Sequence, residues 1–505
     1  MKSYRTLLII LLTLIGINVF PCFGCEKTVN ISSHSELQKK MVKPETRYNI
    51  QKDIDLKGAI IKVPFNSTLV IKKGSLRNGT IVFNKTELNC KEGAFLDIVL
   101  QGTISNRELK STWVKCTEEY SDMLSDAIKV ACNSNCDFVF SKGTYKFKKP
   151  IFIYNKMSLL AKGKVILVPE ISSPDGKGIT FIIAGNDALN LNGHVKGMKW
   201  EGNIKGISIL VTEKQREGLD SFIGLYNASN CTISDCEIDA SRMRTTVAHF
   251  IGAFNNARYA NPCGGSSIRI SNNWMKCQGS LEYEYSYEGK LLSCESIGVG
   301  DNRKDIFIEN NHIVNASDDL GVHTCQNIVI RNNVIESLDG RIYVSGTQDC
   351  VIENNKISYI SPSRSGMGIK VTMERPYQKP NLNYQIIGNV IDYTKASMEA
   401  NYGIWVQGRD MIIEGNALIS NGASNARIWV DVIDINDNQD SRSKNKGKLV
   451  PDNITIKNNK AKILYFVADT KYDVQNWRIE SNEFSSDQII CNRKEAVMRN
   501  NKIKK

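Results

Sequence analysis

Asp318 and Asp319 lie side by side, His323 follows them, and Arg341, Tyr343 and Lys370 come later in the chain. Residues of these types admit two chemistries. A glycosidic bond can be hydrolysed between two carboxyl groups, one protonated and one ionised. Glu295, Asp318 and Asp319 are the acids available for that role. Clustered carboxylates raise one another's pKa and so supply the acid, whereas Arg341 beside Asp319 would hold it ionised. The second chemistry removes the weakly acidic proton next to a sugar carboxylate. A cation must first neutralise that carboxylate, and a base must then reach the carbon. Arg341 is the cation for this, and Lys370, Tyr343 and His323 are the bases or acids. Asp318, Asp319 and Glu295 could also hold Ca²⁺, against which the neighbouring arginine argues.

A repeat decides which of these side chains can meet. The segments IRISNN (268–273), IFIENN (306–311), IVIRNN (328–333) and VIENN (351–355) are short strands of alternating apolar residues closed by asparagine. TISDC (232–236) precedes them, and QIIGN, IIEGN, ITIKNN, WRIESN and AVMRNN continue the series to residue 501. Asn311, Asn333 and Asn355 stand 22 residues apart, and longer intervals read as loop insertions. A unit this short cannot bury its own apolar face, so the units must stack. Val- and Ile-rich strands with polar corners predict a right-handed parallel β-helix. The asparagines suit left-handed corners and a ladder of side chains from coil to coil.

This register sorts the strand after the corner into inward and outward positions. Ile297/Val299, Leu320/Val322, Ile342/Val344, Ile369/Val371, Ile404/Val406 and Ile428/Val430 point in, so their neighbours point out. One outward column reads Ser296, Asp319, Arg341, Gly368, Gly403, Arg427. The next reads Gly298, Gly321, Tyr343, Lys370, Trp405, Trp429, and the third Gly300, His323, Ser345, Thr372, Gln407, Asp431. Neighbours in a column should be about 4.8 Å apart. Two of the six tryptophans would then stack outward beside cations, a pattern expected of a ligand surface. Trp405, Trp429, Arg427 and Gln407 are accordingly substrate-binding candidates. Arg244, His249 and Arg258 join them from ASRMRTTVAHFIGAFNNARY (240–259), read as a loop over the groove.

Composition bounds the rest. The chain has 505 residues, 23% charged and 41% hydrophobic, as in ordinary globular proteins. MKSYR followed by an apolar run to about Phe20 reads as an export signal over residues 1–24. Gly24-Cys25 resembles the end of a lipoprotein box, so the chain is either secreted or anchored to an outer membrane through Cys25. Removing Lys2 and Arg5 lowers the net charge from +12 to +10, which favours a polyanionic partner, and no nucleic acid or subunit partner is expected. The fourteen cysteines lack zinc spacing, leaving Cys132/Cys136 and Cys231/Cys236 as possible local disulfides. SDMLSDAIKVAC (121–132) places Met123, Leu124, Ala127, Ile128 and Ala131 on one face of a helix capping the first coil. Residues 26–112 form a separate small β module, and 113–505 form the solenoid.

The helix followed by FVFSKGTYKFKKPI (138–151) resembles the opening of the pectate-lyase-like superfamily of secreted polysaccharide-active β-helices, a likeness covering about 113–505. Residues 26–112 resemble the leader module of exported β-helix proteins from gut-type bacteria. Asp318-Asp319 with Gly368-Ile369-Lys370 resembles the polygalacturonase branch and its GDD and RIK motifs. Glu295 falls where that branch has the Asp of NTDG, Gly340 near its GHG histidine, and Gly368 near its RIK arginine. Those departures favour a lyase over the branch's hydrolase mechanism. The superfamily's lyases use Lys, Arg, His or Tyr, sometimes with Ca²⁺. The expected function is β-elimination on an acidic polysaccharide such as pectin or a glycosaminoglycan. A polygalacturonase-like hydrolase and a non-catalytic adhesin-like β-helix are the alternatives.

Overall fold

The corner of each coil is built from two residues with different tasks. In the computed structural model the first is left-handed, with φ between 53° and 57° at Asn272, Asn310, Asn332, Asn354, Asn458 and Asn500. Gly388 and Gly415 take the same place in their coils, because glycine has no Cβ to obstruct it. The second residue is the ladder rung. Asn333 donates from Nδ2 to Asn355 Oδ1 at 2.9 Å and to the carbonyl of Ile308 at 2.9 Å. Its own Oδ1 accepts from the backbone N–H and Nδ2 of Asn311, both at 3.0 Å. The same pattern joins Asn273, Asn311, Asn333, Asn355, Asn389, Asn416, Asn459, Asn482 and Asn501. Cys236 begins the series as a donor to Asn273 Oδ1 through its backbone.

The structure describes residues 27–503 except 116–118, 120, 173–178, 186–197, 216–217, 244–246, 254–264, 278–294, 301, 317–319, 339, 361–366, 373–381, 396–401, 420–426, 431–432, 435–447, 450–452, 467–475, 486–488 and 492–495. It contains two compact units, 1–106 and 107–505. The expected boundary at 112/113 lies a few residues too late, because Glu108–Lys110 pairs in parallel with the strand Asp137–Phe147 of the larger unit. The smaller unit is itself a stack of parallel strands. Thr28–Ile31, Arg47–Ile50, Thr68–Ile71 and Leu76–Cys90 pair in sequence.

The larger unit is the parallel β-helix that the repeat predicts. Ile306, Ile328, Cys350, Tyr384, Met411 and Ile454 pair in register down one inner column and are fully buried. A twelve-stranded parallel sheet, from Ile151–Ile153 to Ile489–Cys491, carries the face of interest. Its inward column is Ile297, Leu320, Ile342, Ile369, Ile404, Ile428 and Leu464, each at most 1% exposed. The capping helix is observed at Met123–Ser134, with Leu124, Ala127, Ile128, Val130, Ala131 and Cys132 buried and the first strand of that sheet against it. Asn135, left-handed at φ 52°, ends it by donating to the carbonyls of Ala131 and Cys132.

Two expectations are corrected. Cys132, Cys136, Cys231 and Cys236 are free, buried thiols rather than disulfide pairs, and burial pushes each up to about 12. Segment 240–259 is not simply a loop: its residues Val247–Ala253 form a strand of the twelve-stranded sheet.

Candidate functional site

Strand pairing reproduces the second outward column in full. Gly298 pairs with Gly321, then Tyr343, Lys370, Trp405 and Trp429 follow coil by coil, and Tyr465 extends the row. The Lys370 ammonium sits 4.7 Å from the centre of the Tyr343 ring and 5.0 Å from that of Trp405. Two ring faces thus hold one cation between neighbouring coils. The Arg341 guanidinium lies 5.5 Å from the same Tyr343 ring, and its Nη1 is 3.6 Å from Met367 Sδ. Arg341, Tyr343, Lys370 and Trp405 are all half-buried, so packing fixes them without sealing them from solvent.

The third column is a polar rail beside this one, with Ser345 and Thr372 buried rather than exposed as expected. His323, Ser345 and Thr372 pair in register, and Gln407 follows, its N–H bound to the Val371 carbonyl. His323 Nδ1 and Ser345 Oγ are 2.7 Å apart. That contact engages Nδ1, one of the two ring nitrogens of His323. The His323 ring meets Tyr343 edge-on at 5.1 Å. Thr372 Oγ1 donates to the Tyr343 hydroxyl oxygen at 3.2 Å, so the phenol's own proton is directed elsewhere. Two cations, two aromatic rings, an imidazole and a phenol hydroxyl therefore lie on four consecutive coils.

The first column differs from its expected form. Ser296 is fully buried, at the position held by Phe222 and Phe250 in the two preceding coils. A Cβ on Gly368 would strike the core side chain of Ile391 at 2.5 Å. Inward–outward alternation breaks there, because two successive residues turn into the core. Arg341 keeps the outward place beside Tyr343.

Asp318, Asp319, Arg244, Arg258 and Asp431 lie outside the described residues. Glu295, Arg427 and Trp429 are described as strand residues only, Trp429 paired with Trp405 and Glu295 with His249. Among the described residues no group of three or more His, Cys, Asp or Glu could hold a metal, and the side chains of Asp318, Asp319 and Glu295 are not among those described.

Sequence reading missed one set. Thr180, Ser221, His249 and Glu295 pair in register on successive coils. The signal was a short internal repeat, TFII (180–183), SFIG (221–224), HFIG (249–252) and ESIG (295–298), hidden because its intervals are irregular.

No family model matches the chain, and no curated protein matches it either. Among solved structures it is similar to the A-module of mannuronan C-5 epimerase AlgE6 from Azotobacter vinelandii, at 11% identity and TM-score 0.43 over 76% of this chain and 95% of that one. It is similar to PfbA, a surface adhesin of Streptococcus pneumoniae, at 13% identity and TM-score 0.38 over 73% and 89%. A family 28 exopolygalacturonase of Yersinia enterocolitica is similar at 11% identity and TM-score 0.36 over 77% and 74%. Likenesses this distant leave the activity to be argued from the site.

Proposed function

We propose that the chain is an exported enzyme that cleaves a uronic-acid-containing polysaccharide by β-elimination. The observation that carries this reading is the Lys370 ammonium held between the Tyr343 and Trp405 rings, with the Arg341 guanidinium 5.5 Å from the same Tyr343 ring. A sugar carboxylate seated between two cations loses the charge that opposes proton removal at the neighbouring carbon. Trp405 presents a flat apolar surface to a sugar ring. His323 Nε2 takes the proton, and the Tyr343 hydroxyl gives one to the departing glycosidic oxygen. Ser345 and Thr372 hold those two groups in orientation. Lys370, clasped by two rings, serves as charge rather than as base. Gln407 extends the binding surface along the third column, and Trp429 follows Trp405 in strand register. The net charge of +12, or +10 once Lys2 and Arg5 leave with the export signal, suits an acidic polymer.

The test is incubation with pectate, alginate and glycosaminoglycans, followed by absorbance of the unsaturated product. New reducing ends without that absorbance identify a hydrolase working through Glu295, Asp318 and Asp319. Polymer binding with neither signal identifies an adhesin-like role. Either outcome sinks the elimination reading.

A further inference from the structure

Positive charge is unevenly spread along the chain. Residues 27–106 hold 13 lysines and arginines against 7 acids, a net +6 in 80 residues. Residues 107–505 hold 50 against 45, a net +5 in about five times the length. Within the smaller unit four lysines gather at one corner of the stack. Ile50, Ile71 and Cys90 pair in register at the ends of Arg47–Ile50, Thr68–Ile71 and Leu76–Cys90. The chain leaves them as Gln51-Lys52, Lys72-Lys73 and Lys91, so the corner carries lysine on three successive coils, about 4.8 Å apart. These turns touch. The Lys91 N–H donates to the Ile71 carbonyl at 2.8 Å, and its Nζ donates to the Lys73 carbonyl at 3.0 Å. Gly74 must lack a side chain, since a Cβ there would stand 2.1 Å from the Lys52 carbonyl oxygen. Lys52, Lys72 and Lys73 are exposed, and Lys91 is half-buried.

Like charges on adjacent strands repel, and the acids nearby relieve little of it. Lys40 pairs with Glu36 and Arg77 with Asp55, but among the described residues no corner lysine makes an ion pair. Glu36 accepts from Lys40 and from the Ser32 N–H, both at 2.7 Å, and Lys52 acts on it more weakly. Asp53 accepts the Ser75 hydroxyl at 2.7 Å. Glu92, exposed after Lys91, offsets one charge. Amides continue the surface: Asn30 Oδ1 accepts from Asn49 Nδ2 at 3.3 Å and from Gln51 Nε2 at 3.2 Å.

We propose that this lysine corner binds an anionic polysaccharide, independently of any cleavage elsewhere in the chain. An extended polymer of uronic or sulfated sugars carries anions at regular intervals. A row of cations stepping coil by coil meets it along its length. The amides of Asn49 and Gln51 lie beside the lysines and offer donors and acceptors to sugar hydroxyls. Lysine is a point charge on a flexible stem, so the corner selects for charge and extension rather than for one anion geometry. Its affinity comes from repetition and falls as salt screens it. A membrane surface is the competing occupant of a basic patch, and it is bound by cations interleaved with exposed apolar side chains. The corner residues include none, and the unit's exposed apolar residues, Val42, Ile60 and Phe65, belong to other segments.

The full chain carrying Arg341→Ala, so that polymer is not consumed, is run through gels containing polygalacturonate, chondroitin sulfate or neutral dextran. The expected result is retardation by the anionic polymers, none by dextran, and loss of retardation at high salt. Retardation by one anionic polymer alone supports the corner and identifies its anion as carboxylate or sulfate. Adding Lys52→Gln, Lys72→Gln and Lys73→Gln together should weaken binding about 10-fold or more. Lys57→Gln, Lys62→Gln and Lys85→Gln together remove the same charge from exposed positions outside the corner, and should weaken it less than about 3-fold. Thermal unfolding establishes that both triple variants are folded. No retardation, equal retardation by dextran, an unchanged corner variant, or equal weakening by both triples overturns the proposal. Binding to phosphatidylglycerol vesicles without polymer binding assigns a membrane instead and also overturns it. Corner-dependent binding by a chain whose wild type yields no unsaturated product removes the elimination reading and leaves this one standing.

Discussion

The asparagine corner and the face carrying Lys370 belong to the same coils, yet they use sequence in opposite ways. At the corner, one residue type recurs from Asn273 to Asn501 and meets its own kind at every step. On the face, Gly321, Tyr343, Lys370 and Trp405 succeed one another, and each meets something different. Repetition is what stability requires of a solenoid, since every coil needs the same buried groups satisfied. Variation at a fixed register position is what a binding surface requires, since a ligand offers different chemistry along its length. A column's uniformity therefore separates scaffold from site even where both are polar.

The sharpest break in that comparison comes from Arg341→Ala. Turnover of the polymer should fall about 10³-fold while the unfolding temperature stays within a degree or two of wild type. Activity retained by this variant would remove Arg341 from the site. The mirror experiment is Asn333→Ala, which leaves the buried Asn311 N–H without its acceptor and takes one hydrogen bond each from Asn311 Nδ2, Asn355 Oδ1 and the Ile308 carbonyl. It should cost about 3 kcal/mol or more in denaturant unfolding. A loss below about 1 kcal/mol would show that the ladder is ornamental.

Smaller effects sharpen the contrast. Trp405→Ala removes one wall of the Lys370 clasp and a sugar platform, so KM should rise about 10-fold with kcat changing less. Equal losses in both would mean that the ring acts in the transition state instead. Asn332→Ala should cost about 1–2 kcal/mol through its left-handed backbone, and Asn332→Gly much less. If the two substitutions cost the same, backbone strain is not what that residue relieves.

The smallest effect concerns pH. A second, exposed ladder joins Asn383 Nδ2 to Asp349 at 2.8 Å and Asn453 Nδ2 to Asp410 at 2.9 Å. Hydrogen bonds from Asn383 and then Gln326 hold the Asp349 carboxyl below its usual range. A carboxyl depressed in the folded state stabilises above its unfolded pKa, and that contribution fades as pH falls through the folded value. Asp349→Asn should therefore flatten a small part of the acid limb of the stability profile. Melting curves compared at neutral pH and in acid measure it, and an unchanged difference would dismiss the ladder's role.

Much of this was legible in the residues. The 22-residue interval, the Asn pairs and the Ile/Val alternation are consequences of local chemistry. A strand buries every second side chain, and a corner needs left-handed backbone, whatever else the chain does. The Tyr343, Lys370, Trp405 column followed from counting alone, and strand pairing reproduces it. Counting failed at Ser296 and Gly368, where two successive residues turn into the core. It failed again at His249, read as a loop residue because long, irregular insertions interrupt the repeat on either side. The roles of the two asparagines in each pair were likewise fused in the sequence and separate in space.

By itself, then, the sequence determined that like units stack in parallel and, Ser296 and Gly368 apart, which positions face outward, because those follow from periods of two and about twenty-two residues. Tertiary structure alone decided that Lys370 lies between two rings and that Ser345 takes His323 Nδ1. Those contacts join residues from different coils. Their geometry depends on how each coil's inward residues pack, which no local pattern records.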